Sequence, residues 1–347
     1  MAFVAVHIGA GYHDKLKRSQ YNRICVEACQ AAMNALKNDA TATIGVVEAI
    51  GSLENQTLTN AGIGSNLNLE GFVECDASLM DGESMLFGSV GAVKSIRNPI
   101  RIAQLILEQQ KIPGPLGLIP PNFLVGQGAE NFAISRGLEQ CDLRCEESSK
   151  TYNKYKLQLD NFEKNFSLMH QHQCYDTVGA ICIDKKGCLA SGVSSGGLIL
   201  KQEGRVGQAS IVGAGCWTKE NIAVTTSGVG EYLIRTMMAR NVVEKIDKSS
   251  TDPDQNTLEL LVKAFDEIFF NSCVMRNIPR QDHLAGLIGL ILDQELNSIE
   301  FFWAHSTRTM CIGYMDSHSS SPISFVSEMQ SEPGSTIIAQ SKTFRFQ

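Results

Sequence analysis

A threonine stands at the head of an apolar strand in Asp176-Thr177-Val178-Gly179-Ala180, where a long polar segment stops. In mid-chain its hydroxyl is a poor nucleophile, but at a newly made N-terminus the residue's own amine can serve as base. The junction therefore predicts a hydrolase that cuts itself. Small polar groups and one cation come after it at useful distances: Ser195, Arg205 and the pair Ser227-Gly228. A single threonine at a strand start is ordinarily structural; the combination is what points to chemistry.

Other constellations fall short of their motifs. Gly192-Val193-Ser194-Ser195-Gly196 has the spacing of a nucleophile elbow, yet that turn needs an apolar helix straight after its serine, and Gly197, Lys201, Glu203 and Gly204 follow here. His283 and His305 complete a triad only on paper, and near apolar strands they read as structural. Gly126-Gln127-Gly128 and Gly228-Val229-Gly230 each give half of a dinucleotide fingerprint without its third glycine, and no Walker lysine motif occurs. Glu74 and Asp76 share a strand face and read as structural carboxylates. No Cys-x-x-Cys pair marks a zinc site, so neither cofactor nor metal is expected.

These residues need elements to hold them. A strand at Phe3–Ile8 leads into a helix near Lys15 to Asn38, with Tyr21, Ile24, Cys25, Ala28, Ala32 and Ala35 on one face, then a second helix near Thr41 to Leu53. The loop Thr59 to Asn68 combines glycines, which permit tight turns, with asparagines, which supply hydrogen bonds. Alternation around Phe72, Val73, Cys75 and Ala77 predicts a strand ended by Asp81-Gly82, with Met85 to Val93 as its partner, and Pro99 opens a helix. From about Glu139 to Asp176 the pattern dissolves into polar residues with a weak helical hint near Tyr155 to Phe166, which reads as a mobile, cleavable linker. Beyond it come strands at Thr177–Ile183, Leu189–Ser195, Ile211–Trp217 and Ile222–Thr226. Helices at Glu231–Lys248 and Thr257–Phe270 and strands at Ala285–Leu292 and Ile299–Trp303 complete the pattern. Two halves thus contribute to one layered α+β domain.

Composition agrees with a globular enzyme: 347 residues, 43% hydrophobic and 19% charged, enough for one large core or two ordinary ones. A net charge of -7 without a dense basic run argues against a nucleic-acid partner; Lys15, Lys17 and Arg18 read as a solvated helix start. No apolar run reaches the roughly 18 residues of a membrane span. Met1 to Ile8 lacks a basic flank and reads as a buried strand rather than a signal. Eleven scattered cysteines predict free thiols in a reducing compartment, with Cys25 and Cys29 packing in a helix core.

Several segments together resemble the type 2 asparaginase family of N-terminal-nucleophile hydrolases, and within it the threonine aspartase (taspase) branch. They are Val6 to His13, Thr59 to Asn68, Glu74 to Gly82, Asp176 to Ala180, Ser194 to Gly197, Gly204 to Gln208 and Ser227 to Glu231. The resemblance implies a four-layer αββα sandwich made as an inactive precursor. It also implies cleavage before Thr177 into an α subunit (1–176, with the linker at about 139–176) and a β subunit (177–347) that stay associated and pair further into a dimer of αβ units. By the match, Thr177 is the nucleophile and its freed amine, with an ordinary pKa of about 7.7–8.0, the general base. Ser195 takes the helper-hydroxyl position, Ser227 and the Gly228 N–H the oxyanion hole, and Gly9 and Asn60 orient the nucleophile.

Two departures separate this chain from the asparaginase pattern. Asparaginases hold a free α-carboxylate with an arginine and a free ammonium with an aspartate three residues on; here Arg205 is succeeded by Gln208. For an Asp-X peptide bond the carboxylate belongs to the side chain and can still be clamped bidentately by Arg205, while the amine has become an uncharged N–H that suits Gln208. The residue before the nucleophile, commonly glycine in asparaginases, is Asp176, which mimics the P1 residue of an external substrate, with Tyr175 at P2. The expected function is a threonine endopeptidase that cuts proteins after aspartate. The resemblance implies processing of nuclear transcription and chromatin regulators, in the nucleus and/or cytoplasm. The alternatives are an isoaspartyl peptidase/L-asparaginase, opposed by Gln208, and a non-enzymatic scaffold whose linker recruits partners.

Overall fold

The computed structural model describes residues 1–165, 176–249 and 256–345. Its plan is legible in the first strand, β1 (Phe3–Gly11). Successive side chains of a strand face opposite ways. Val4, Val6 and Ile8 therefore pack into one core while Phe3 and Ala5 enter another. The first core is capped by the helices α1 (Arg18–Lys37), α2 (Ala42–Glu54) and α3 (Pro99–Gln110), through residues such as Ile24, Leu36, Val46, Ile50 and Ile106. β1 belongs to an eight-stranded sheet with β2 (Cys75–Asp81), β3 (Phe87–Val93), β4 (Phe123–Val125), β5 (Val178–Ile183), β6 (Leu189–Ser195), and two later strands, β11 (Thr309–Asp316) and β12 (Ile323–Glu328). The strand order is β12-β11-β1-β5-β6-β2-β3-β4.

A second sheet is ordered β13-β10-β9-β8-β7, from β7 (Cys216–Thr218), β8 (Ile222–Gly228), β9 (Ala285–Asp293), β10 (Ser298–His305) and β13 (Ile338–Arg345). The core between the sheets joins Phe3, Ile181 and Ile183 to Ile288, Leu290, Phe301 and Trp303. The outer face of the second sheet, through Val224, Leu287 and Phe302, packs on helices α7 (Met238–Ser249) and α8 (Thr257–Phe265). Helix, sheet, sheet and helix make the four-layer αββα sandwich, an α+β fold.

Several elements differ from their sequence reading. Helix α5 (Glu146–Asn165) fills much of the segment read as a linker, and the Tyr152 hydroxyl anchors it by donating to the Leu69 carbonyl at 3.1 Å. Tyr175 lies outside the described residues. The strand expected over Ile211–Trp217 contracts to β7 because turns and tight backbone bonds occupy 211–215. The helix expected over Glu231–Lys248 is split into α6 (Gly230–Thr236) and α7 by Met237, whose φ of 43° is left-handed. α8 stops at Phe265 and passes into a π-helical turn over Asp266–Phe270.

Candidate active site

Thr177 sits immediately before β5, in the middle of the larger sheet, and is 3% exposed. Strand pairing fixes its surroundings. β5 runs antiparallel to β6 with Val178 opposite Ser194, which brings the end of β6 back beside Thr177. Across that gap the Thr177 hydroxyl donates to Ser195 Oγ at 3.2 Å. Gln208 Nε2 donates to Thr177 Oγ1 at 2.7 Å. The hydroxyl is therefore oriented from two sides. Ser194, next to Ser195, is fully buried beside Glu54 and is not among the residues that line the cleft, so the elbow-like serine takes no part in it.

The cleft is lined by Asn60, Asp176, Thr177, Ser195, Gly197, Arg205, Gln208 and Gly228, with Leu198 and Gly230. It offers about 20 Å³, little more than one water needs. Asn60 builds a wall rather than touching Thr177: its Nδ2 donates to the Gly197 carbonyl at 2.8 Å and its Oδ1 accepts the Asn66 N–H at 2.9 Å. Gly228 faces the cleft, whereas Ser227 is buried in β8, where its Oγ accepts the Ala10 N–H at 3.0 Å. The oxyanion pair read from sequence is thus divided between the cleft and the strand junction beside it.

Gly9 presses directly on the Asp176-Thr177 junction. A Cβ there would lie 2.5 Å from the Asp176 Cα, and its φ of +113° is one that side-chain-bearing residues rarely adopt. Two residues earlier, His7 is cross-strand partner to Gly179, where an added Cβ would come within 2.3 Å of His7 Nε2. Burial holds the His7 pKa down to about 3, so this imidazole is neutral at any physiological pH.

Asp176 has a half-buried setting of its own. The residue keeps some exposure, but its Oδ1 is buried without a hydrogen-bond partner, and burial raises the carboxyl's pKa to about 7. Arg205 is not its clamp in this uncut chain. The guanidinium, 18% exposed, donates to Glu231 from Nε at 2.8 Å and again from Nη2. Glu231, at the start of α6, instead occupies one edge of the arginine.

Glu74 and Asp76 have a job that their spacing did not disclose. Both Glu74 oxygens accept the Gly204 N–H, at 3.2 and 3.0 Å, and Asp76 Oδ2 accepts the Gly207 N–H at 2.8 Å while Oδ1 accepts the Ala92 N–H at 2.9 Å. The two buried carboxylates tie down the loop that carries Arg205 and Gln208. Burial raises the Asp76 pKa, an effect opposed chiefly by the positive charge of Lys201. His283 and His305 are structural, a ring N–H of each donating to a backbone carbonyl, Ile278 and Thr307 respectively. Among the described residues no cluster could hold a metal ion, and no helix is long and apolar enough to cross a membrane.

The arrangement is a threonine hydroxyl aligned by a second hydroxyl and an amide, next to a backbone carbonyl and an arginine. Residues 1–268 match the Asparaginase_2 family, described as asparaginase. The chain is 36% identical over 235 residues to the isoaspartyl peptidase/L-asparaginase of Rattus norvegicus, covering 67% of each chain. To the Homo sapiens protein of the same name it is 34% identical over 259 residues, 74% of this chain and 80% of that one. The isoaspartyl peptidase of Escherichia coli (strain K12) is 33% identical over 299 residues, 83% of this chain and 86% of its own.

Proposed function

The chain belongs to the Asparaginase_2 family of N-terminal-nucleophile hydrolases, and from that premise we propose that it cuts itself between Asp176 and Thr177 and then cleaves protein substrates after aspartate. In the precursor Thr177 Oγ attacks the Asp176 carbonyl and the peptide bond shifts to an ester, which frees the Thr177 amine; water then hydrolyses the ester to an α-carboxylate on Asp176 and the Thr177 hydroxyl. That amine then takes the proton from Oγ as the hydroxyl attacks an external carbonyl, and delivers it to the leaving amine; water hydrolyses the acyl ester left on Oγ and restores the hydroxyl. Ser195 and Gln208 hold the hydroxyl in line. The Gly228 side of the cleft meets the developing oxyanion, with Ser227 fixing its backbone.

The observation that carries the choice of substrate is Gln208, whose amide donates to Thr177 Oγ1 at 2.7 Å. A neutral amide at this position suits a peptide N–H, whereas a free amino-acid ammonium calls for a carboxylate. The presence of aspartate just before the nucleophile supports the same reading, since the chain's own scissile bond is an Asp-X bond. Processing of nuclear regulatory proteins, nuclear or cytoplasmic residence and assembly into a dimer of αβ units form part of the proposal through the taspase resemblance.

A second reading is favoured by the relatives. The rat, human and bacterial proteins are all isoaspartyl peptidases by name, two of them with L-asparaginase in the name as well. Those names speak for a β-aspartyl substrate and against an endopeptidase. Incubation of the matured protein with an Asp-Gly peptide and, separately, with a β-aspartyl dipeptide separates the two. Turnover of the peptide alone supports the endopeptidase; turnover of the dipeptide alone replaces it with the isoaspartyl activity.

A further inference from the structure

Arg205 does not offer the cleft its whole fork. With Nε and Nη2 both directed at Glu231 Oε1, the edge an arginine usually presents to a carboxylate is occupied. Nη1 remains on the cleft side, 3.3 Å from the point where a Cβ on Gly197 would stand. Lys201 Nζ lies at the same 3.3 Å from that point. Gly197 itself lines the cleft, its carbonyl pinned by Asn60 Nδ2 at 2.8 Å and Asn66 Nδ2 at 2.9 Å. Two cations from one loop therefore converge beside Gly197, Arg205 lining the cleft and Lys201 lying just behind that wall.

Lys201 is an unusual residue to find there. It is 3% exposed, and one of its three N–H donors goes to the Glu74 carbonyl at 2.7 Å. Among the described residues no carboxylate comes within 4.0 Å of its nitrogen. Asp76 feels its charge, but both Asp76 oxygens are engaged by the backbone of Ala92 and Gly207, and Glu74 turns its carboxylate to Gly204 and Lys94. A buried cation without an ion-pair partner is costly, and an incoming anion relieves that cost.

We propose that Lys201 is the second cation of the substrate's carboxylate seat, with Lys201 Nζ and Arg205 Nη1 each donating to one oxygen of the acid while Glu231 holds the arginine in that pose. The seat rests on the reading that the Arg205 side of the cleft receives a substrate carboxylate, whether the side chain of an aspartyl peptide or the α-carboxylate of a β-aspartyl dipeptide. It also gives acid-over-amide selectivity a cause. An asparagine placed there would turn an NH₂ group toward one of the two cations.

The test compares two peptides that differ only in Asp-Gly against Asn-Gly, using the self-cleaved wild type, Lys201→Met and Lys201→Gln. The glutamine keeps a donor for the Glu74 carbonyl and removes only the charge. We expect KM for the Asp peptide to rise about tenfold, kcat to change little, and the Asp-over-Asn ratio of kcat/KM to fall by a similar factor, as one charge-assisted hydrogen bond would account for. Lys201→Arg should recover part of the ratio. A structural lysine would weaken both peptides alike, and an unchanged ratio overturns the proposal. If the variants do not fold, a crystal structure of the wild type with N-acetyl-aspartate decides: a carboxylate oxygen beyond hydrogen-bond reach of Nζ overturns it. Wild-type enzyme inert to both the Asp-Gly peptide and a β-aspartyl dipeptide would sink the underlying reading instead.

Discussion

At Asp176 a carboxyl oxygen is buried against Gly9 with no hydrogen-bond partner, and burial holds its pKa at about 7. A carboxyl whose folded pKa lies above its unfolded value is bound more tightly to its proton in the fold. Below about pH 4 both states are protonated and it costs nothing; the cost grows as pH rises and is complete above about pH 7. In a Thr177→Ala background, which should stay a single uncut chain, Asp176→Asn should therefore stabilise the precursor at pH 8 by on the order of a few kcal/mol. The gain should fade as pH falls through 7 and vanish near 4. Urea melts across that range check it, and a gain independent of pH would show that the carboxyl is not buried ionised. Thr177 and Ser195 were legible from type and order, because both are hydroxyls; Gln208 was reached only through the asparaginase resemblance, as a substrate contact, and its bond to Thr177 Oγ1 was not foreseen. Lys201 and Glu231 were not legible, since their effect depends on which edge of Arg205 is left facing the cleft, a matter of a few ångströms that spacing does not encode.

β1 is the element that packs against the Asp176-Thr177 junction. It pairs with β5 from Phe3 opposite Ile183 to His7 opposite Gly179, and then its register against β11 shifts between His7 and Ala10. At that irregularity Gly9 meets Asp176. Gly9→Ala would push a Cβ into backbone at 2.5 Å in a strained conformation, so the chain should remain largely uncut on a denaturing gel while still folding. Cleavage at the wild-type rate would mean that β1 does not set the geometry of the scissile bond. The strong periodic elements, α1, α2, α3, β5, β6 and β9, were readable within a few residues because one face of each is apolar. The Glu146–Asn165 helix was hidden by its polarity, and β7 by turns whose residues also suit a strand. The αL residue Met237, which breaks the helix expected over 231–248, has no signal in a methionine.

For the molecule as a whole, the order of strands in the larger sheet decides the fate of the cut chain. β1, from the N-terminal part, lies between β11 and β5, and β2, also N-terminal, lies against β6. The larger sheet is complete only when both parts contribute to it. After the cut at 176/177 the two chains should elute together in native size-exclusion chromatography and unfold in one calorimetric transition; two separate transitions would contradict the interleaved sheet. The layered α+β class was legible in the sequence from the run of strands and helices on each side of the polar segment. This interleaving was not, because register between distant strands is set by packing of their apolar faces. The central claim, that Thr177 becomes a free N-terminus by the chain's own action, is tested most directly by intact mass measurement with N-terminal sequencing of the purified protein. Two chains, one beginning Thr-Val-Gly-Ala, are predicted. A single chain of full mass after prolonged incubation would contradict the claim.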